Sequence, residues 1–195
     1  MSMTFLRSLI VFFSLLFSTS LSHSNDISEF QIEGMSIGDS ALDFFNKSVI
    51  KENITDYYSY LKTKDYISTE IYDPNNFNAY DSIEIFFKRN DSQYIIQGIA
   101  GGMFFKNNIE DCYSKRDTVV NALKNIFPNA RIDGPHEITH PADKSGQSIY
   151  YGTWFWVNEG TSQVSCYDWS ENKPYTDHLL VSILLNEIDD WLNNY

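Results

Sequence analysis

The chain has 195 residues, with 26 Asp and Glu against 14 Lys and Arg, and a formal net charge of −12 at pH 7. An acidic surface repels phosphate groups, so nucleic acid and anionic lipid headgroups are excluded as expected partners. Because 43% of the residues are hydrophobic and 16% are aromatic, the composition also excludes a disordered chain.

The first 22 residues have the three parts of a secretory signal peptide. Arg7 supplies the positive charge, Leu9 to Phe17 form an apolar segment, and Ser20-Leu21-Ser22 places small residues at a cleavage site. The apolar segment is shorter than the ~20 residues that cross a bilayer, so we expect cleavage near Ser22 and no stable membrane anchor afterwards. The sequence therefore predicts a single domain over residues 23–195, exported to the periplasm or the extracellular space.

Helical patterns occur in four places after this segment. Ser40 has the position of an N-cap and predicts the start of a short helix. The longest pattern spans residues 107–127, with Asn107 as its cap and Cys112 on its apolar face. The other two helices are expected over residues 48–60 and 186–192.

Extended patterns rich in β-branched and aromatic residues predict six strands. The polar segment 133–146 contains Pro135 and Pro141 and is expected to be a loop. The expected fold class is α+β, an antiparallel sheet of about five to six strands with helices packed on one face. The predicted strands span residues 66–72, 83–88, 93–100, 148–158, 161–168 and 178–185.

The two cysteines, Cys112 and Cys166, are expected to pair because disulfides form in exported proteins. Closing the loop of 54 residues between them would stabilise the fold by about 4 kcal/mol. Two buried free thiols are the alternative. The hairpin of the fourth and fifth predicted strands is expected to place Thr153 opposite Cys166, with this face packed against the long helix.

The other face of that hairpin is aromatic. Exposed rings there would form a platform for a small molecule, a glycan or a protein partner, because flat rings offer a large contact area at low entropic cost. Because large apolar side chains are mostly buried, we expect instead that the N-terminal helices cover this face. The candidate ligand-binding residues are Tyr150, Trp154, Trp156, Tyr167 and Trp169.

Two short motifs resemble the first and last blocks of the SGNH (GDSL-type) esterases. They are Ile37-Gly38-Asp39-Ser40 and Asp133-Gly134-Pro135-His136. The resemblance implies that Ser40 attacks an ester carbonyl, that His136 accepts its proton, and that Asp133 orients the imidazole. The G-x-N-D block of that family is missing between the two motifs, so a small esterase is the alternative function rather than the first.

The segment His136-Glu137-Ile138-Thr139-His140 matches the H-E-x-x-H pattern of zinc hydrolases, in which one helix presents both imidazoles to the metal. Pro141 disfavours helical backbone at His140, which makes His136 and His140 a weak candidate metal site. We therefore expect neither a metal nor another cofactor.

Three segments resemble a group of small exported bacterial proteins of no known activity. They are residues 30–40, 164–170 and 190–192. The resemblance implies a bacterial origin and export. Taken with the acidic composition and the incomplete catalytic motifs, it leads us to expect a binding or envelope-associated module without catalysis.

Overall fold

The computed structural model describes residues 27–106 and 108–193. The expected signal peptide and Asn107, the expected cap of the long helix, lie outside the described residues. The strands are β1 (Tyr66–Tyr72), β2 (Ser82–Lys88), β3 (Gly98–Phe104), β4 (Arg131–Thr139), β5 (Ile149–Val157), β6 (Gly160–Asp168) and β7 (His178–Leu185). The helices are α1 (Lys47–Glu52), α2 (Ile109–Ile126) and α3 (Asn186–Leu192), with 3-10 turns at Ile27–Glu29 and Ala41–Asp43. The strands form one antiparallel sheet in the order β1-β2-β3-β7-β6-β5-β4.

The predicted fold class is wrong, because the described sheet has seven strands rather than five or six, and the helices do not form a layer on one face. The physical reason is that β7 is apolar on both sides. Val181 and Ile183 pack in the cluster that α2 covers, whereas Leu184 packs with Trp191 of α3 on the opposite face. A strand that is buried on both faces needs cover on both, so α2 and α3 lie on opposite sides of the sheet.

The seventh strand, β4, lies at the edge of the sheet and occupies the first half of the predicted loop. It pairs with β5, and its register shifts between Asp133 and His136, on either side of Pro135. An edge strand accommodates proline at such an irregularity because one row of its N–H groups needs no partner in the sheet. All nine residues of β4 are exposed, so no apolar alternation marks this strand in the sequence.

Strand β3 lies further along the chain than the pattern predicted. The segment before it is a loop, in which the Asp91 carboxylate accepts hydrogen bonds from the Gln93 and Ile95 amides, both at 2.8 Å. At Gly102, within the strand, a Cβ would lie 2.7 Å from Ser82 Oγ of β2. Glycine inside β3 therefore allows a neighbouring side chain to approach the strand.

The disulfide between Cys112 of α2 and Cys166 of β6 is confirmed, with 6.0 Å between the two Cα atoms. Both cysteines are fully buried, in the cluster that also contains Phe155 and Val164 of the hairpin. A disulfide is compatible with an exported protein. Within the described ranges, no helix has the length and apolarity needed to cross a bilayer.

The hairpin of β5 and β6 has a register two residues away from the predicted one, since Cys166 pairs with Tyr151 rather than with Thr153. Because side chains alternate with a period of two, this shift leaves each of them on the predicted face of the sheet. Gly160 begins β6 instead of forming the turn, and a Cβ there would collide with the Leu184 carbonyl of β7. Glycine at this position therefore allows the backbones of β6 and β7 to approach closely.

Removing the disulfide should lower the free energy of unfolding by about 4 kcal/mol, because the unfolded chain gains the entropy of a 54-residue loop. We expect the double variant Cys112→Ala/Cys166→Ala to unfold at a lower urea concentration than the wild type. Reductant should lower the urea concentration at the wild-type unfolding midpoint toward that of the variant, and the midpoint of the variant should not change. Equal midpoints for the oxidised wild type and the variant would contradict the role of this bond.

Candidate functional site

A groove runs across the sheet on the face opposite α2. Its floor consists of short side chains from β2 and β3, at Ser82, Ala100 and Gly102, and of Leu180 from β7. Larger side chains stand on both sides of this floor and enclose a space of about 640 Å³. This volume lies in the range of small-molecule binding sites.

One side of the groove is an aromatic wall made of Tyr167, Trp169 and Tyr175. The Tyr167 and Trp169 rings are stacked with centroids 6.2 Å apart at 18°, and the centroids of Trp169 and Tyr175 are 4.5 Å apart. Tyr150 stacks on Tyr167 with centroids 5.4 Å apart. These contacts hold the rings in defined orientations, so the wall is formed before a ligand arrives.

The predicted ligand-binding residues all lie on this face of the sheet, but they divide into two groups. Tyr167 and Trp169 line the groove, and Tyr150 and Trp154 continue the aromatic surface along β5. Trp156 lies apart from them, with an arginine guanidinium of β4 4.1 Å from its ring centroid. All five rings are half-buried.

The N-terminal helices do not cover this aromatic surface. The main contacts of α1 are with β1, which is five positions from β5 in the sheet. The segment that follows α1 covers only the β1 end of the groove, where Tyr58 packs against Phe86 and Trp191. The aromatic wall therefore stays accessible.

Two histidines flank the aromatic wall, and burial lowers the pKa of both, so both are neutral at pH 7. His178 stacks on Tyr167 with centroids 4.7 Å apart, and its Nδ1–H donates to the Thr176 carbonyl at 2.9 Å. The His140 ring lies 4.3 Å from that of Trp169, and its Nδ1 accepts from a backbone amide two residues later at 3.2 Å. The proton is therefore on Nδ1 of His178 and on Nε2 of His140.

Two glutamates form the acidic end of the groove. Glu70 of β1 and Glu84 of β2 are direct partners across the strand pair, and each carboxylate accepts a hydrogen bond from a tyrosine. Tyr57 donates to Glu70 at 2.8 Å, and Tyr58 donates to Glu84 Oε2 at 3.3 Å. Among the described residues, Glu84 Oε1 is buried and has no donor in hydrogen-bond geometry.

Burial raises the pKa of Glu84 to about 7 against the opposing effect of the Ser68 hydroxyl, while the charge of Glu70 raises it further and the Tyr58 hydroxyl lowers it. Glu84 is therefore partly protonated at neutral pH. Sequence analysis missed this residue, although its signal is a charge between Ile83 and Ile85, which are both buried. Alternation alone assigns such a charge to a solvent-facing side of the strand, and here that side faces the groove.

Asp143 holds the loop that carries His140. Its buried carboxylate accepts hydrogen bonds from the amide and hydroxyl of Ser148 at 3.0 and 2.7 Å, and Lys173 Nζ lies 3.2 Å away. These donors, with the Ser148 hydroxyl first, lower the pKa of Asp143 far below its usual range. Ser148 Oγ also accepts from the amide of the residue after Trp169 at 3.0 Å, which ties the loop to the aromatic wall.

The residues of the predicted esterase site do not come together. Ser40 caps a 3-10 turn, where its Oγ accepts from the Leu42 amide at 3.2 Å and donates to the Gln93 carbonyl at 2.6 Å. Asp133 and His136 are hydrogen-bonded at 2.6 Å, but they lie on the edge strand β4. Ser40 pairs with the segment just before β3, and β3 is four strand spacings, or about 19 Å, from β4. A serine at that distance cannot pass its proton to His136.

His136 and His140 do not face a common metal site either. Both lie on or directly after a strand, so four residues separate them by about 13 Å, whereas the zinc motif needs the single turn of a helix. His136 stacks on Trp154 with centroids 6.3 Å apart, and His140 packs on Trp169. In the part of the chain that the structure describes, no three His, Cys, Asp or Glu side chains are grouped to hold a metal ion.

Comparison with protein-family models, with curated proteins and with solved structures finds no significant match for this chain. The segments that resemble exported bacterial proteins occupy structural positions. Glu33 accepts hydrogen bonds from the amides of residues 78–80, and Trp191 is buried beside β7. The groove is therefore the basis for a functional proposal.

Asp143→Asn should destabilise the fold at pH 7 and change its sensitivity to acid. A carboxylate with a lowered pKa stabilises the folded state above its unfolded pKa of ~3.9, and this contribution is lost as the pH falls below that value. We expect the difference in unfolding free energy between wild type and variant, measured by urea unfolding, to shrink as the pH falls from 7 to about 3.

Asp65→Asn, at an exposed position, is the matched control and should show no such trend. A difference between wild type and Asp143→Asn that is independent of pH would contradict the role assigned to this carboxylate.

Proposed function

We propose that this protein is an exported, acidic binding module that holds a small organic ligand in the groove without transforming it. The observation that carries the proposal is the groove itself, with an aromatic wall along one side and a buried carboxylate oxygen at one end. Ligand sites are typically concave and largely apolar, with a few polar groups that orient the ligand. The groove has each of these properties.

The aromatic wall supports binding of a ligand that carries a ring or an alkyl chain. Tyr167 is stacked between Tyr150 and His178, so it presents the edge of its ring to the groove beside Trp169. This stacking reduces the side-chain entropy that binding would cost. The Asp143 loop adds to this effect, because its hydrogen bonds place His140 against Trp169. A ligand thus meets a surface that folding has already ordered.

The positions of the candidate catalytic groups support a role without catalysis. Neither Ser40 nor His136 lines the groove. The Ser40 hydroxyl donates to a backbone carbonyl, and His136 is bonded to Asp133 at the far edge of the sheet.

Export is supported by the signal-peptide pattern of residues 1–22 and by the disulfide, since disulfides persist in oxidising compartments. The ligand is then a molecule that reaches the periplasm or the extracellular space. The acidic composition makes a nucleic acid or an anionic lipid an unsuitable ligand.

A probe with a ring on a short chain should bind in the groove. We expect saturable binding of phenylbutylamine or phenylbutanol, each with the ring and the polar group at opposite ends of the chain, measured by calorimetry. Trp169→Ala should weaken binding about tenfold, because it removes apolar stacking surface. Trp156→Ala, on the same face but outside the groove, is the matched control and should bind like the wild type. Failure of both probes to bind, or equal weakening by the two variants, would overturn the proposed function.

A further inference from the structure

The lining of the groove carries charge of one sign. Glu70 and Glu84 stand at one end, and no lysine or arginine is among the described residues that line it. His140 and His178 add no positive charge at pH 7, because burial lowers the pKa of each. The whole chain has a net charge of −12, so its field attracts cations toward such a site.

The Glu84 carboxylate lines the groove and has an incomplete set of hydrogen-bond donors. Its Oε1 is buried and has no donor in hydrogen-bond geometry among the described residues, and its Oε2 accepts a long 3.3 Å bond from Tyr58, while the Ser68 hydroxyl lies close enough to lower its pKa. A buried acceptor without a partner is destabilising, and more so when it is ionised. An ammonium group supplies both N–H donors and the compensating charge.

A neutral sugar matches these groups less well. Sugar hydroxyls donate and accept, so they need protein donors as well as acceptors. Ionised Glu70 and Glu84 only accept hydrogen bonds. Nδ1–H of His178 already donates to the Thr176 carbonyl, and Nε2–H of His140 lies at the aromatic wall rather than beside the glutamates. The polar end of the groove suits a ligand whose polar atoms are all donors.

We infer that the groove binds an organic ammonium compound, with its nitrogen between Glu84 and Glu70 and its ring or alkyl chain extending over the floor to Tyr167 and Trp169. The inference rests on the proposed function and adds the charge of the ligand. Strands β2 and β6, which carry Glu84 and Tyr167, are three spacings apart in the sheet, or about 14 Å. The Tyr167 side chain extends toward Glu84, whose charge acts on the tyrosine hydroxyl, so an amine separated from a ring by four carbons can meet both.

The matched probes phenylbutylamine and phenylbutanol test the charge of the ligand, because they differ only in the group that meets Glu84. We expect the wild type to bind the amine at least tenfold more tightly than the alcohol, measured by calorimetry at pH 8. Glu84→Gln should abolish this preference, so that the variant binds the two probes with similar affinity. A cooperative urea-unfolding transition of the variant shows that it is folded.

The outcomes separate the inference from the proposed function. Equal affinities for amine and alcohol, or an amine preference that survives Glu84→Gln, would overturn the ammonium inference while the groove remains a binding site. Binding of neither probe would overturn the proposed function itself.

The affinity for the amine should also depend on pH in a defined direction. Glu84 must be ionised to hold an ammonium group, and burial raises its pKa to about 7 in the free protein, so affinity should rise from about pH 6 to pH 8 with release of a proton. The histidines that face the groove change the amine affinity in the same direction as Glu84, and the tyrosines do not ionise between pH 6 and 8. His140 and His178 become cationic only at acidic pH, and hydrogen bonding or burial raises the pKa values of the groove tyrosines.

Binding of the alcohol gives the baseline for this experiment, because it needs no ionised carboxylate. Glu84→Gln should flatten the pH dependence of amine binding between pH 6 and 8, and Glu70→Gln should keep a rise because Glu84 remains. An amine affinity that is constant over this range in the wild type would overturn the inference.

Discussion

The rest of the structure depends on β7, the central strand, whose side chains must be buried on both faces of the sheet. On one face, Val181 and Ile183 join the cluster that α2 covers, and the disulfide holds that helix to β6. On the other face, α3 turns back and covers only the end near Leu184. The remaining length of this face has no helix above it among the described residues, and there the short side chains of β2 and β3 leave a groove.

The groove and its support use carboxylates in two opposite ways. Asp143 accepts hydrogen bonds from several donors. These bonds lower its pKa and hold the loop beside the aromatic wall in place. Glu84 is buried with too few donors, which raises its pKa to about 7 and leaves one oxygen without a partner. The same functional group thus stabilises structure where it is satisfied and prepares a site for a ligand where it is not.

Sequence analysis located those elements whose pattern comes from burial. The predicted bounds of β1 and β7 match the observed ones, and the apolar face of the long helix pointed to Cys112 as a buried residue. The exposed edge strand β4 escaped prediction because no apolar alternation marks it. Strand β3 begins later in the chain than predicted for a similar reason, because its glycines do not indicate a strand in the sequence. In the structure they allow neighbouring side chains to approach the strand closely.

The candidate site was only half predictable. Tyr167 and Trp169 were placed correctly because period-two alternation assigns a face regardless of exact register. Glu70 and Glu84 were missed because their importance depends on what covers them, and the tyrosines that do so come from a segment predicted as helix. Ser40 and His136 matched motifs, but a motif match contains no information on distance in the fold. Their positions in the sheet are four strand spacings apart.

The sequence by itself determined the acidic charge, the expectation of export, the pairing of Cys112 with Cys166 and the aromatic face of the β5–β6 hairpin. These properties follow from residue types and from local periodicity. Only the tertiary structure decided that the two faces of the sheet at β7 are covered by different helices. It also decided that Ser40 and His136 lie far apart, and that short residues from β2 and β3 form the floor of the groove between Glu84 and Trp169. The physical reason is that a groove is made by strands that are neighbours in the sheet but distant along the chain, so no stretch of sequence contains its shape.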